Sequence, residues 1–157
     1  MSRRPAILFV CTGNICRSPL AEAAFRAAAT RCGLDAVVDS AGTGDWHTGE
    51  PPDRRAQEVA RRNGIDIAGY RARMVTAEDF RVFTHIVALD HTHLKVLRAR
   101  RPSDGIAELS LLLDHVAGRV GQSVADPYYG QARDFHTTWA DVQAGTEALV
   151  ARLIRSR

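Results

Sequence analysis

Lysine is almost missing from this chain. Of its 21 basic residues only Lys95 is a lysine, and the arginines lie scattered among many alanines. The net charge of +3 and the pI near 9.1 therefore read as compositional bias. The densest basic cluster, Arg98, Arg100 and Arg101, has no aromatic residue between its arginines, which argues against a nucleic-acid partner. Cysteine is scarce as well, with Cys11, Cys16 and Cys32 the whole set. Three are too few for the disulfide scaffold of a secreted domain, and an odd count leaves one unpaired. The Cys11-x4-Cys16 pair could open a zinc site, but no second pair of ligands follows at zinc spacing, so no metal is expected. Long apolar runs are absent too. Nothing approaches the roughly 18 consecutive apolar residues of a membrane span, and no membrane partner is expected. Met1-Ser2-Arg3-Arg4 followed by Ala6 to Val10 resembles a signal-peptide start. That run is short, however, and breaks at Thr12-Gly13-Asn14 with no small-residue cleavage site. These absences point to a cytoplasmic protein, and 157 residues suit one domain spanning 1–157.

What the chain does have is an alternation of strand and helix patterns. Ile7 to Val10 is wholly apolar, as in a buried parallel strand. Ser18 offers an N-cap oxygen for a helix with Pro19 in its first turn and Leu20, Ala24, Ala27 and Ala28 on its apolar face. Val37 and Val38 begin a second strand, and residues 43–51 form a loop around Trp46. A second helix runs from Pro52 to Asn63 and stops at Gly64. His85 to Leu89 is the third strand, and Asp90 caps the helix before Pro102. Ile106 to Leu109 is the fourth strand. A polar loop over 122–134 then leads to a helix whose apolar residues run from Phe135 to Leu153. This order predicts an α/β fold, a three-layer αβα sandwich around a four-stranded parallel sheet. Ligands of such sheets sit beyond the carboxyl ends of the strands, where residues 11–18 lie.

The stretch VCTGNICRSP, residues 10–19, therefore holds the candidate site. Two cysteines beside an arginine could make a metal knuckle, a disulfide, a phosphate cradle or a nucleophile. The spacing Cys-x5-Arg is weak alone; its position between an apolar strand and a helix start is what gives it weight. Backbone N–H groups of Thr12, Gly13, Asn14, Ile15 and Cys16, turned inward ahead of a helix, form an anion nest. Arg17 adds a planar grip on phosphate oxygens. The nucleotide pattern G-x-x-x-x-G-K-[ST] is absent. A field that holds phosphate also favours a thiolate, so Cys11 reads as the nucleophile, with Ser18 able to hydrogen-bond its sulfur. A leaving oxygen needs a proton donor, and Asp126 in VADPYYG is the candidate. Trp46, Tyr128 and Tyr129 suit the walls of a pocket for an aryl phosphate.

FVCTGNICRSPLAEAAFR, DSAGTGDW and ADPYYG, in this order and at these separations, strongly resemble the low-molecular-weight protein tyrosine phosphatases, over essentially the whole chain. The resemblance implies a phosphatase of phosphotyrosine proteins or other aryl phosphates that works through phosphocysteine. It needs no cofactor, releases inorganic phosphate and is by default a monomer. Cys11 would be the nucleophile, Arg17 the phosphate clamp and Asp126 the general acid and then base. Asn14 would brace the loop, Ser18 would support the thiolate, and Ser40 would brace the loop from the second strand. Trp46, Tyr128 and Tyr129 would line the cleft. Cys16 would guard the nucleophile by a reversible disulfide. Where many members carry a histidine that holds the loop asparagine, this chain has Tyr70, which leaves open whether Tyr70 donates a similar bond or Asn14 is braced otherwise. Arsenate reductases on this scaffold need further cysteines downstream, and residues 33–157 have none. Phosphoarginine phosphatases tend to carry threonine before the second loop cysteine, where this chain has Ile15. His91 and His93 are expected to be surface or capping residues, His47 an exposed polar loop residue in preference to a substrate contact beside Trp46, and Cys32 partly buried.

Overall fold

The protein is described by a computed structural model over residues 4–156. Met1 to Arg3, part of the signal-like stretch, lie outside the described residues. Strand β1, Ala6–Cys11, is buried along its whole length. It pairs in parallel with β2, Val37–Gly42, on one side and with β3, His85–Ala88, on the other. β3 pairs in parallel with β4, Glu108–Leu111, so the sheet order is β2-β1-β3-β4.

Because successive side chains of a strand point to opposite faces, β1 feeds two cores at once. Ile7, Phe9 and Cys11 join the larger core, with α1 (Arg17–Cys32), α2 (Arg54–Arg62) and α5 (Ala132–Arg155). Leu8 and Val10 join the smaller core, with Phe80 of the short helix α3 (Asp79–Val82) and Leu94 and Leu97 of α4 (His91–Arg100). The three layers expected from the sequence follow from this alternation.

The α1 helix is buried nearly all round through its first half, from Arg17 to Phe25, not along a single face. It lies between the sheet and α5, and its alanines allow close approach on both sides. Ser18 is not its N-cap: Cys16 holds that position and makes no side-chain capping bond. Gly64 takes the left-handed conformation, φ 81°, just after α2, as the stop signal requires. The fourth strand begins two residues later than expected. Ile106 and Ala107 both donate to the Phe80 carbonyl, so pairing with β3 starts at Glu108 opposite His85. α3 and a 3-10 turn at Leu112–His115 are too short to leave a periodic signal. No helix among the described residues is long and apolar enough to cross a membrane.

The sheet positions the site. β1 leads through α1 to β2 on one side, and β3 then pairs on the other side of β1. The strand order therefore switches at the carboxyl end of β1, where a crevice opens.

Candidate active site

Residues 12–16 connect β1 directly to α1. Asn14 has φ 59°, the one non-glycine with positive φ among the described residues. Such a conformation costs energy, and side-chain bonds hold it. Asn14 Nδ2 donates to Ser18 Oγ at 2.8 Å and Ser40 Oγ at 3.0 Å, and its Oδ1 accepts from the Arg73 amide at 3.0 Å. Arg73 is itself fixed by ion pairs to Asp39 and Asp79. Asn14 is thus braced through the Arg73 backbone, which settles the alternative raised by Tyr70. The Tyr70 ring packs half-buried against the core, and its phenol is pushed up by burial and then by Glu22.

Donors outside the loop pull its carbonyls outward. Thr43 takes Cys11 O at 2.9 Å, Gly44 takes Thr12 O at 3.1 Å and Asp53 takes Ile15 O at 2.8 Å. Among the described residues, the N–H groups of Gly13, Asn14, Ile15 and Cys16 reach no protein acceptor. Unpaired donors just ahead of a helix N-terminus suit an anion. The loop rests on Gly42 of β2, where an added Cβ would come within 2.6 Å of Thr12 O.

Cys11 Sγ lies 2.9 Å from Ser18 Oγ. The Asn14 amide already donates to that hydroxyl, which leaves the Ser18 proton for the sulfur or for Ala41 O, at 3.4 Å the longer contact. Ser18 is therefore set as a donor to sulfur. Cys16 differs. Burial pushes its thiol well up, and Asp53 and Cys11 add to the effect, so it stays protonated. Ser40 passes the support back by donating to Glu22 Oε1 at 2.8 Å. The buried Glu22 carboxyl, raised by burial, pairs with Arg26.

Arg17 has a side chain only 4% exposed. Its Nη1 donates to Asp90 Oδ2 at 2.8 Å and Val124 O at 2.9 Å, and its Nη2 lies 3.6 Å from Asp126 Oδ2. Asp90 also caps α4 through the His93 amide. Burial would raise its carboxyl, but that amide, His93 and Arg17 together hold it below the ordinary range. His93 is 1% exposed and bonds Thr12 Oγ1 through Nε2 at 2.8 Å, which corrects the surface reading. Its Nδ1 faces Asp90 at 3.2 Å without a well-aligned hydrogen bond. Burial drives its pKa down to about 4, with Asp90 opposing and Arg17 adding to the fall.

Asp126 is half-exposed at the rim and accepts from the Tyr128 amide at 3.0 Å. With Trp46, Tyr128 and Tyr129 it walls a cleft of about 440 Å³ whose floor is Cys11, Thr12, Gly13, Ile15, Cys16 and Arg17. The two tyrosines meet edge to face, with centroids 4.9 Å apart. Asn14, Ser18 and Ser40 stand behind the floor rather than in it. His47, expected to be a bland loop residue, lines the cleft and pairs with Glu50. Cys32 is exposed at the end of α1, not partly buried. Among the described residues no cluster of His, Cys, Asp or Glu is arranged to hold a metal ion.

A family model described as "Low molecular weight phosphotyrosine protein phosphatase" matches residues 6–157. The chain belongs to this family. Membership makes it a cysteine-dependent phosphatase, a hydrolase of phosphoric monoesters. Low molecular weight protein-tyrosine-phosphatase YfkJ of Bacillus subtilis is 39% identical over 154 residues, 97% of each chain. The YfkJ crystal structure superposes with a TM-score of 0.91, covering 99% of this phosphatase and 98% of that chain. A protein tyrosine phosphatase from Entamoeba histolytica also reaches 0.91, at 32% identity and 97% and 98% coverage. A Drosophila arginine phosphatase has the same fold, with a TM-score of 0.87 at 29% identity and 94% and 96% coverage.

Proposed function

We propose that this phosphatase hydrolyses phosphotyrosine and other aryl phosphate monoesters through a phosphocysteine intermediate. The supporting observation is the single constellation of Cys11, Ser18, the unpaired loop amides and Arg17 beneath Asp126. The amides and Arg17 hold the three non-bridging phosphate oxygens, where they stabilise charge without reorganising. Cys11 thiolate attacks phosphorus in line, and the bond to the aryl oxygen breaks. Asp126, protonated, gives its proton to that oxygen. Water then attacks the phosphocysteine, Asp126 carboxylate takes its proton, and the sulfur leaves as a thiolate with Ser18 donating to it. Inorganic phosphate is released. Trp46, Tyr128 and Tyr129 accept the aryl ring.

No cofactor or metal takes part in this scheme. We place the enzyme in the cytoplasm as a monomer, with Cys16 guarding Cys11. The test is turnover of phosphotyrosine and phosphoarginine peptides with a chelator present, by the native enzyme and Cys11→Ser. Chelator-resistant turnover of phosphotyrosine, lost in Cys11→Ser while phosphate still binds, is expected. Preference for phosphoarginine would overturn the substrate class, and full activity in Cys11→Ser would overturn the covalent route.

A further inference from the structure

Asp126 sits on a segment with few anchors. Val124 is tied to Leu89 and to Arg17, and Ala125 O takes a long bond from Thr138. Past Ala125 the chain turns on itself, with Tyr128 N on Asp126 and Gly130 N on Pro127. Among the described residues, the hydrogen bonds that tie residues 126–130 to any other element both come from Arg55. Its Nη2 donates to Tyr128 O at 2.9 Å and its Nη1 to Gly130 O at 3.3 Å.

Arg55 is held at its other edge. Its Nε and Nη2 reach the Asp53 carboxylate at 3.1 and 3.0 Å. The guanidinium lies over the Phe135 ring at 4.6 Å and near the Tyr128 ring at 5.7 Å. Asp53 meanwhile donates its own amide to Ile15 O in the phosphate loop. A continuous chain of contacts thus runs from the phosphate loop through Asp53 and Arg55 to Tyr128, whose amide holds Asp126. These contacts use four N–H bonds set in the plane of the guanidinium, and an ammonium, with three donors, cannot make all four.

We propose that Arg55 is a positioning residue for proton transfer, setting the segment 126–130 so that Asp126 faces the leaving oxygen. This rests on the reading of Asp126 as general acid. Arg55 touches neither the phosphate nor the reacting atoms. Its loss should spare phosphate binding and degrade only the steps that need a placed proton, since a displacement of about 1 Å can cost on the order of 10²-fold.

The experiment compares kcat/KM for p-nitrophenyl phosphate, whose leaving group departs unprotonated, and phenyl phosphate, whose leaving group needs the proton. Asp126→Asn is expected to slow phenyl phosphate far more. Arg55→Gln should show the same bias, with a loss of about 10- to 100-fold on phenyl phosphate, a smaller loss on p-nitrophenyl phosphate and an unchanged inhibition constant for phosphate. Arg55→Lys should fall between Arg55→Gln and the native enzyme, and serves if Arg55→Gln does not fold. Arg55→Gln/Asp126→Asn should be no slower than Asp126→Asn alone, because the two share one function. Equal losses on both substrates, or additive losses in the double variant, would make Arg55 a merely structural tie and overturn the proposal while leaving Asp126 as the acid. Absence of the bias in Asp126→Asn would overturn the acid assignment and this proposal with it.

Discussion

At the scale of single residues, the site separates two cysteines by their surroundings. Cys11 has a donor aimed at its sulfur, while burial and Asp53 keep Cys16 a thiol. The guarding role gives a direct expectation. Peroxide converts Cys11 to a sulfenic acid; Cys16 then displaces hydroxide, taken up as water, to form the disulfide. A thiol reductant should restore full activity to the native enzyme, while Cys16→Ser should lose activity progressively and irreversibly. Equal recovery of both in a reactivation assay would count against the guard. Asp126→Ala should cost on the order of 10² to 10⁴ in turnover, the usual worth of a general acid, measured on phenyl phosphate. The residues given catalytic or cleft roles from the sequence lie inside the signature stretches. Arg55, Arg73 and Glu22 were given none, and Asp90 and His93 were read only as cap or surface residues, because their bonds to Tyr128, Asn14, Ser40, Arg17 and Thr12 cross long sequence separations. His47 was read as an exposed loop residue in preference to a substrate contact, because a histidine in a polar loop carries no sign of which way the loop folds.

At the scale of elements, the loop depends on β2 as much as on β1. Gly42 lies against the carbonyl of Thr12 and the backbone of Gly13 and Asn14, atoms that cannot move aside without moving the nest. Gly42→Ala should therefore destabilise the fold by about 1–3 kcal/mol, the usual cost of overpacking. It should also weaken competitive inhibition by phosphate. Urea unfolding and phosphate inhibition read the two effects; an alanine variant normal in both would show that the loop does not rest there. β1 and α1 were legible because the apolar run and the proline signal bracket the loop over consecutive residues, although the left-handed position within it falls on Asn14. The start of β4 was not, since Ile106 and Ala107 have strand-like side chains but spend their amides on Phe80. The wrap of α1 was missed for a related reason: alanines read as a weak apolar face, and only the packing of α5 against the far side shows that both faces are covered.

At the scale of the whole molecule, the buried His93 couples acid stability to the site. Folded, it stays neutral down to about pH 4; unfolded, it takes a proton near 6.5. Between these values the unfolded chain binds the extra proton, so lowering the pH favours unfolding. Stability contributed by the neutral ring is present above about pH 6.5 and is lost on acidification toward 4. That loss is roughly 3 kcal/mol at the acid end of the window, at about 1.4 kcal/mol per pKa unit. Urea titrations from pH 7 to 4 should show the decline, and His93→Asn should flatten it; an unchanged slope would place the acid sensitivity elsewhere. The parallel order of the sheet was readable from the alternation of strand and helix, and in such sheets the crevice opens where the order switches, here at the carboxyl end of β1.

The most direct measurement is to mix the native enzyme with phenyl phosphate, quench in acid within one turnover and weigh the peptide containing Cys11. A peptide heavier by one phosphoryl group at Cys11, absent from Cys11→Ser, is expected. Steady turnover with Cys11 never phosphorylated, or phosphate carried on another residue, would contradict the phosphocysteine mechanism.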